Sequence, residues 1–350
     1  MYRYIGNKTK LLDEIINKTN TIIGTNGTVA DLMAGTGCVS KALFNKGYNV
    51  IASDVMTYSK YHLISEIAIR KTPSFKKIPL SNEKGTSKYD SVINYLNNLE
   101  GREDFFFTEY SPEGNPLNGS PARKYFTPDN AKKIDAIRFT INEWIKDNLL
   151  SDYEIALLKH ILIMSANEVA NISGTFGYFL KEFSKSAKES INLKKIDFSE
   201  RTQTNNLITI YQGYAEEISK KVQCDLCYID PPYMKRQYAA NYHILETLAV
   251  GDSPTDLIGK SGLRNWWNEY SNFCTKTKGL EAFKKIFDNI QCGNFLISYS
   301  EDGLFTIEQL EDYFSKFGTV VTEYITYQRF KSNNSKLPHD IKEYLITIRR

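Results

Sequence analysis

Two thirds of the way along the chain, Tyr228-Ile229-Asp230-Pro231-Pro232-Tyr233 combines a carboxylate, two imino acids and aromatic rings. Consecutive prolines remove two backbone donors and force an extended chain. A backbone stiffened in this way aims the Asp230 carboxylate and the Pro231 carbonyl as fixed acceptors and presents the Tyr233 ring beside them. Such a set suits an exocyclic amino group on a nucleobase. The lone pair of that group is delocalised into the ring, so its nitrogen is a poor nucleophile. Two acceptors on its hydrogens draw the nitrogen toward tetrahedral geometry and free the pair. An aromatic ring holds an extruded base by stacking, worth about 1–3 kcal/mol, against an unstacking cost of roughly a few kcal/mol.

A second constellation lies upstream, at Asp31-Leu32-Met33-Ala34-Gly35-Thr36-Gly37. An acid ends an apolar run, and glycines then let a ligand approach the backbone at a helix start. Asp54 follows 23 residues later, at the end of the next apolar run. An acid at that spacing is placed to hydrogen-bond ribose hydroxyls. The full G-x-G-x-x-G is absent, which favours a nucleoside cofactor over a dinucleotide. A plain strand-to-helix turn is the competing reading.

The elements that position these residues follow from patterning. Val29–Met33 reads as a strand, Ser40–Lys46 as a helix broken by Gly47, and Tyr48–Ala52 as a second strand ending at Ser53-Asp54, a β-α-β unit. From about Lys71 the texture changes: residues 72–130 hold six of the ten prolines (73, 79, 112, 116, 121 and 128) and many Asn, Gly and Ser, and read as loop-rich rather than core-like. A helix is expected from Pro128, with Ile134, Ile137, Ile141 and Ile145 at helical spacing. Another opens on the capping box Ser151-Asp152-Tyr153-Glu154 and runs to about Asn171. The α/β texture returns near Leu207, with strands expected at Leu226–Ile229, Phe295–Tyr299, Val320–Tyr327 and Tyr344–Ile348.

Composition excludes several classes. The chain has 350 residues, 41% hydrophobic and 24% charged, with Lys plus Arg 44 against Asp plus Glu 41. That supports a packed core, on the order of two domains, and excludes a polycation, so any nucleic-acid surface must be local. The most apolar stretch, Ile155–Met164, is interrupted by Lys159 and His160 and falls short of the ~20 residues of a membrane span. No apolar leader follows the start, and the five cysteines (38, 224, 227, 274, 292) are few and odd in number. Reduced thiols in a cytoplasm are expected.

With these residues in place, the chain resembles the S-adenosylmethionine-dependent DNA amino-methyltransferases of the Dam-type, group alpha. Asp-Pro-Pro-Tyr after a strand and the Asp-x-x-x-Gly-x-Gly loop carry the likeness. So does the opening Arg3-Tyr4-Ile5-Gly6-Asn7-Lys8-Thr9-Lys10-Leu11-Leu12. Arg236-Gln237-Tyr238-Ala239-Ala240-Asn241-Tyr242-His243, Ser173-Gly174-Thr175-Phe176-Gly177 and Gly262-Leu263-Arg264 look like the branch that accompanies type IIS restriction systems. The likeness covers most of the chain and is weakest across 72–125. Met33 stands where an aromatic residue is common in the family.

The resemblance implies a doubly wound, Rossmann-like α/β methyltransferase sheet formed by 1–71 and 205–350, with 72–204 an inserted, mostly helical target-recognition region. It implies transfer of a methyl group from S-adenosylmethionine to adenine N6 in double-stranded DNA, with the base flipped out, in a restriction-modification or phage-defence setting. A cognate endonuclease would act separately, in a prokaryotic or phage-encoded system without metal or membrane. Asp230, Pro231, Pro232 and Tyr233 would be catalytic. Tyr4, Ile5, Gly6, Lys8, Asp31, Met33, Gly35, Thr36, Gly37, Asp54 and Asp230 would border the cofactor. Lys181, Lys235, Arg236, Tyr238, Asn241, Arg329 and Lys331 are the candidate DNA contacts; a solvated loop or helix face is the competing reading for the charged ones. Residues 324–339 contain no acid at all, and residues 181–195 hold five Lys against two Glu.

Other residues receive structural readings. Cys224 and Cys227 have C-x-x-C spacing without a second pair, and three residues apart on a strand they would face opposite ways. They are expected as small core residues. His243 and His339 are expected as hydrogen-bonded structural groups, and Trp266-Trp267 as packing. The rivals to the main reading are an RNA adenine methyltransferase, a cytosine-N4 enzyme, against which Asp230 argues, and a catalytically silent nucleic-acid-binding relative.

Overall fold

Apolar runs bounded by turn residues form the sheet. In a computed structural model, which describes residues 4–81, 85–201, 205–328 and 340–350, the chain divides into two compact units. The first to be considered comprises Gly6–Leu63, Thr204–Tyr238 and Glu269–Arg350. It holds the strands β1 (Thr28–Asp31), β2 (Asn49–Asp54), β3 (Ile208–Gln212), β4 (Leu226–Ile229), β5 (Asn294–Ser300), β6 (Thr319–Gln328) and β7 (Asp340–Arg349), in the order β3-β2-β1-β4-β5-β7-β6. β1 pairs parallel with β2 and β4, β2 with β3, and β4 with β5. β7 enters antiparallel between β5 and β6.

This is a doubly wound sheet. The strand order reverses direction between β1 and β4, and open sheets of this kind bind ligands beyond the carboxyl ends of strands at such a point. The central strand β4 is buried at every position, as a parallel strand covered on both faces is, whereas the edge strand β3 is only partly buried. One core cluster joins Ala30, Ile229, Phe283, Phe287, Phe295, Ile297 and Ile346, with the helix Lys276–Asn289 supplying Phe283 and Phe287 and β5 supplying Phe295. Cys224, Cys227 and Cys292 are buried in the same cluster. Cys224 precedes β4 rather than lying on it, so the opposite-face argument does not separate it from Cys227.

The other unit comprises Met1–Ile5, Ile64–Gln203 and Ala239–Asn268. It therefore takes in 64–71 and 239–268, which the sequence reading grouped with the flanking pieces. The helix Pro128–Lys146 starts on Thr127, whose side chain caps it, and the helix Asp152–Glu168 starts on the capping box of Ser151 and Glu154.

Residues 72–130 are not the core-poor loop that their composition suggested. A helix spans Lys88–Asn98, opened by a capping box of Ser87 and Asp90, and another spans Phe105–Tyr110. Phe75, Tyr89, Leu96, Phe106, Tyr110, Tyr125 and Phe126 are all buried. The apolar spacing Tyr89, Val92, Ile93, Leu96 carries the helix; the prolines sit between elements or, as Pro128 does, at the first position of a helix, where they are tolerated.

Three motifs of the family resemblance meet inside this unit. Phe176 N donates to Asn241 O at 2.8 Å, the Phe176 carbonyl accepts from Tyr125 Oη at 2.6 Å and lies 3.1 Å from His243 Nε2, and Ser261 Oγ donates to Gly177 O at 2.6 Å. Burial lowers the His243 pKa to about 3, so its imidazole stays neutral, as a structural residue. Gly262 lies against the Arg123 guanidinium with φ +65°, where a Cβ would come within 2.7 Å of Arg123 Cζ. Arg123 is fully buried. It pairs with Glu109 Oε2 at 2.5 Å and donates to the carbonyls of Glu109 and Lys260 and to Asn118 Oδ1, each at 3.0 Å.

Removing one partner of a buried pair leaves an uncompensated charge. Arg123→Met is expected to destabilise the protein by about 3–5 kcal/mol, read as a fall in the denaturant midpoint. A midpoint within error of the parent would show that Glu109 does not depend on Arg123.

Candidate active site

Three strand ends place three carboxylates. Asp31 closes β1, Asp54 closes β2 and Asp230 follows β4 directly. Asp31 is 1% exposed. Its Oδ2 accepts from Ser40 Oγ at 2.6 Å, while its Oδ1 is buried with no partner among the described residues. Burial raises the Asp31 pKa to about 7, with Asp230 and Asp54 adding to the rise and Ser40 opposing it. A half-charged carboxyl with a free inward oxygen is an acceptor waiting for a cationic or N–H donor.

The glycine loop is built around the next acid. Asp54 Oδ2 accepts from Gly35 N at 2.8 Å and Oδ1 from Met56 N at 2.9 Å. Burial raises its pKa, against these backbone donors. Ala34 N donates to Ser53 O at 2.9 Å and Gly37 N to Ala34 O at 2.7 Å. Gly37, at φ +77°, ends the turn just before the helix Cys38–Asn45. A Cβ there would also lie 3.1 Å from Leu63 Cδ2. Met33 packs, partly buried, against the core cluster after β1 has ended.

Asp230 is more exposed than Asp31, its side chain 19% exposed. Its Oδ1 lies 3.0 Å from Lys8 Nζ, in the short 3₁₀ helix Lys8–Leu11. Lys8 is 2% exposed and also lies 2.7 Å from Glu343 Oε1, on β7. Burial works against the charge on Lys8, but Asp230, Tyr233 and Glu343 outweigh it and raise its pKa well above the usual value. Burial raises the Asp230 pKa to about 6, with Lys8 pulling it down and Glu343 pushing it up. The Lys8 ammonium stands 5.3 Å from the centre of the Tyr233 ring, which is itself 5.6 Å from the Tyr299 ring. Tyr233 O accepts from Leu304 N at 2.9 Å, which pins the motif to the segment after β5.

Gly6, Lys8, Asp31, Met33, Gly35, Thr36, Gly37, Asp54, Asp230, Pro231, Pro232 and Tyr233 thus lie in one unit, with the three acids at neighbouring strand ends. Tyr4 and Ile5 belong to the other unit, where Tyr4 stacks on Tyr242 at 4.6 Å and Ile5 N donates to Tyr242 Oη at 2.7 Å. The candidate DNA contacts do not all fall together. Lys235 and Arg236 are exposed and Tyr238 half-buried in the sheet unit; Asn241 and exposed Lys181 are in the helical unit. Arg329 and Lys331, like Arg3 and His339, lie outside the described residues. Trp267 is 61% exposed and packs by stacking on Trp266 at 4.5 Å.

Sequence reasoning missed Glu343. The signal was there: Ile341, Glu343 and Leu345 share one face of β7, and all three are buried. A carboxylate in an apolar period-two stripe demands a partner.

A family model described as D12 class N6 adenine-specific DNA methyltransferase matches residues 4–319. The chain is 34% identical to the type II methyltransferase M.FokI of Planomicrobium okeanokoites and 32% to the modification methylase StsI of Streptococcus sanguinis, each over 99% of this chain and 52% of the relative. It is 30% identical to the type II methyltransferase M.NlaIII of Neisseria lactamica, over 95% of this chain and 93% of that one. The chain therefore spans about half the length of the first two.

Gly37→Ala is expected to cost about 1–3 kcal/mol, because the turn holds a left-handed conformation and Leu63 crowds the added methyl. Chemical denaturation measures it. A variant as stable as the parent would mean that the loop does not keep this turn.

Proposed function

Because the chain belongs to the D12 class of N6 adenine-specific DNA methyltransferases, we propose that it transfers a methyl group from S-adenosylmethionine to the N6 amino group of an adenine flipped out of double-stranded DNA. One observation carries the reading. Asp230 and Tyr233 stand together beyond β4, beside the strand-order reversal, with an ammonium buried against them.

S-adenosylmethionine supplies an activated methyl on a sulfonium, which is already a good leaving group. The chain's residues bind, orient and polarise. Asp31 accepts from the cofactor's amino group through its unpartnered Oδ1. Asp54, tied to the Gly35–Gly37 loop, holds the ribose hydroxyls, and the loop admits the ligand close to its backbone. Asp230 and the Pro231 carbonyl accept from the two N6 hydrogens, which removes the lone pair from conjugation. Tyr233 stacks on the extruded ring. Lys8 keeps Asp230 in place and charged. No strong base is needed before attack, since the amine loses its proton after the methyl arrives. Alignment provides most of the rate.

The same reading extends to partners. Residues 72–204 choose the sequence, with 239–268 in the same compact unit, and the two flanking pieces do the chemistry. Lys235 and Arg236 meet backbone phosphates. The setting is restriction-modification, with a separate endonuclease cutting unmodified sites. Among the described residues, no helix is long and apolar enough to cross a membrane.

Asp230→Ala tests the chemistry. It removes one of two preorganised acceptors, so single-turnover methyl transfer is expected to fall at least about a hundredfold, while DNA affinity, carried by phosphate contacts, survives. Transfer at near the parent rate would overturn the mechanism.

Asp31 gives a second test. Its pKa of about 7 in the free protein must fall when a cationic amino group pairs with it, so binding near pH 6.5 releases protons. Calorimetric titration of S-adenosylmethionine in buffers of different ionisation enthalpy is expected to show that release, and Asp31→Asn to abolish it. Heats independent of buffer would remove Asp31 from the amino-group site.

A further inference from the structure

Lys8 has two carboxylates, and the family motif accounts for one. The second, Glu343, is fully buried on β7. Its Oε1 accepts from Lys8 Nζ at 2.7 Å and from Ser298 Oγ, on β5, at 3.1 Å. Its Oε2 is buried with no partner among the described residues. An anion in that position is costly to bury and is tolerated only for the sake of its cation. Two carboxylates and one ammonium leave the cluster with a net charge of −1.

We infer that Glu343 is a positioning residue for methyl transfer: it holds the Lys8 ammonium against Asp230 and sets the charge that Asp230 presents to the target amine. The inference rests on the function proposed above. Glu343 does not touch the reacting atoms on this account; it works through Lys8. Lys8 is closer to Glu343 than to Asp230, 2.7 against 3.0 Å, so the ammonium is shared rather than given wholly to the catalytic carboxylate. A carboxylate whose cation is shared remains a stronger acceptor for an N–H group than one neutralised in a private ion pair. As the methyl arrives, the amine nitrogen becomes positive, and an undercompensated negative cluster behind it opposes that charge.

Among the described residues, the titratable groups that interact with Asp230 are Lys8 from the N-terminal 3₁₀ helix, Glu343 from β7, Tyr228 on β4, Asp31 at the end of β1 and Cys38 at the start of the helix Cys38–Asn45, while Tyr233 acts on Lys8. Of these, Glu343 raises the affinity of Asp230 for its proton and Lys8 lowers it. The two substitutions therefore act in opposite directions. Glu343→Gln leaves Lys8 to Asp230 alone, so Asp230 ionises more readily. Lys8→Met does the reverse.

The test is the pH profile of kcat/KM for unmethylated genomic DNA at saturating radiolabelled S-adenosylmethionine, which reports groups in the enzyme with its cofactor bound and Asp31 already paired. The parent is expected to lose activity as pH falls through about 6. In E343Q this limb is expected to move down by roughly one unit, so that activity at pH 5, relative to the plateau, rises about fivefold. In K8M the limb moves up. E343D, which keeps the charge, is expected to stay nearer the parent than E343Q. A merely structural Glu343 would change stability and leave the limb where it is; an unmoved limb in folded E343Q, or one moved upward, overturns the inference.

A carbon-13 carboxyl titration of Asp230, assigned with D230N, reads the same midpoint without turnover. If the parent puts no label into N6-methyladenine, the functional reading fails, and this titration still decides whether Glu343 controls Asp230. If E343Q does not fold, the titration compares K8M with K8M/E343Q, which removes the cation and its counter-ion together. The double variant is expected to titrate below K8M; coincident midpoints overturn the inference.

Discussion

A single ammonium, that of Lys8, is buried between two carboxylates, and this constraint organises the sheet unit. A charge out of water persists only if its partners are placed to compensate it. Those partners come from distant parts of the chain: Asp230 from just beyond β4, Glu343 from β7, with Ser298 of β5 supporting Glu343. β7 must therefore return antiparallel beside β5. The parallel portion of the sheet alone supplies Asp230 but no second anion. The 3₁₀ turn that carries Lys8 likewise cannot shift without stranding the charge.

The strand-order reversal explains why the other two acids lie close by. β1 and β4 are neighbours that leave the sheet in opposite directions of build, so Asp31 and Asp230 end adjacent strands, and Asp54 ends the next strand out. Burial raises the pKa of all three, to about 7 for Asp31 and about 6 for Asp230. Burying several carboxyls in one place costs stability that packing elsewhere must offset. Such clustering of perturbed acids marks places where binding or chemistry is done.

Much of this unit was legible in the sequence. Asp31, the glycine loop, Asp54 and Asp230-Pro231-Pro232-Tyr233 are local signals, each complete within a few residues. The strand at Leu226–Ile229 is observed at the expected bounds, because its apolar run is short and sharply closed by prolines. Glu343 was not legible in the same way: its meaning depends on a pairing more than 300 residues from Lys8. Residues 72–130 were misjudged because proline and asparagine content describes connections, while Tyr89, Val92, Ile93 and Leu96 form a buried helix face between them. The placement of 239–268 with the helical unit follows from hydrogen bonds such as Phe176 to Asn241, which no local pattern announces.

The central claim is that this arrangement delivers a methyl group to adenine N6 within a defined DNA sequence. Long-read sequencing of DNA from cells expressing the protein, in a host without adenine methylation of its own, addresses it directly. The account predicts N6-methyladenine confined to one sequence context and missing when the host expresses the Asp230→Ala variant. Unmodified adenine throughout, or methylation on cytosine N4 instead, would contradict it.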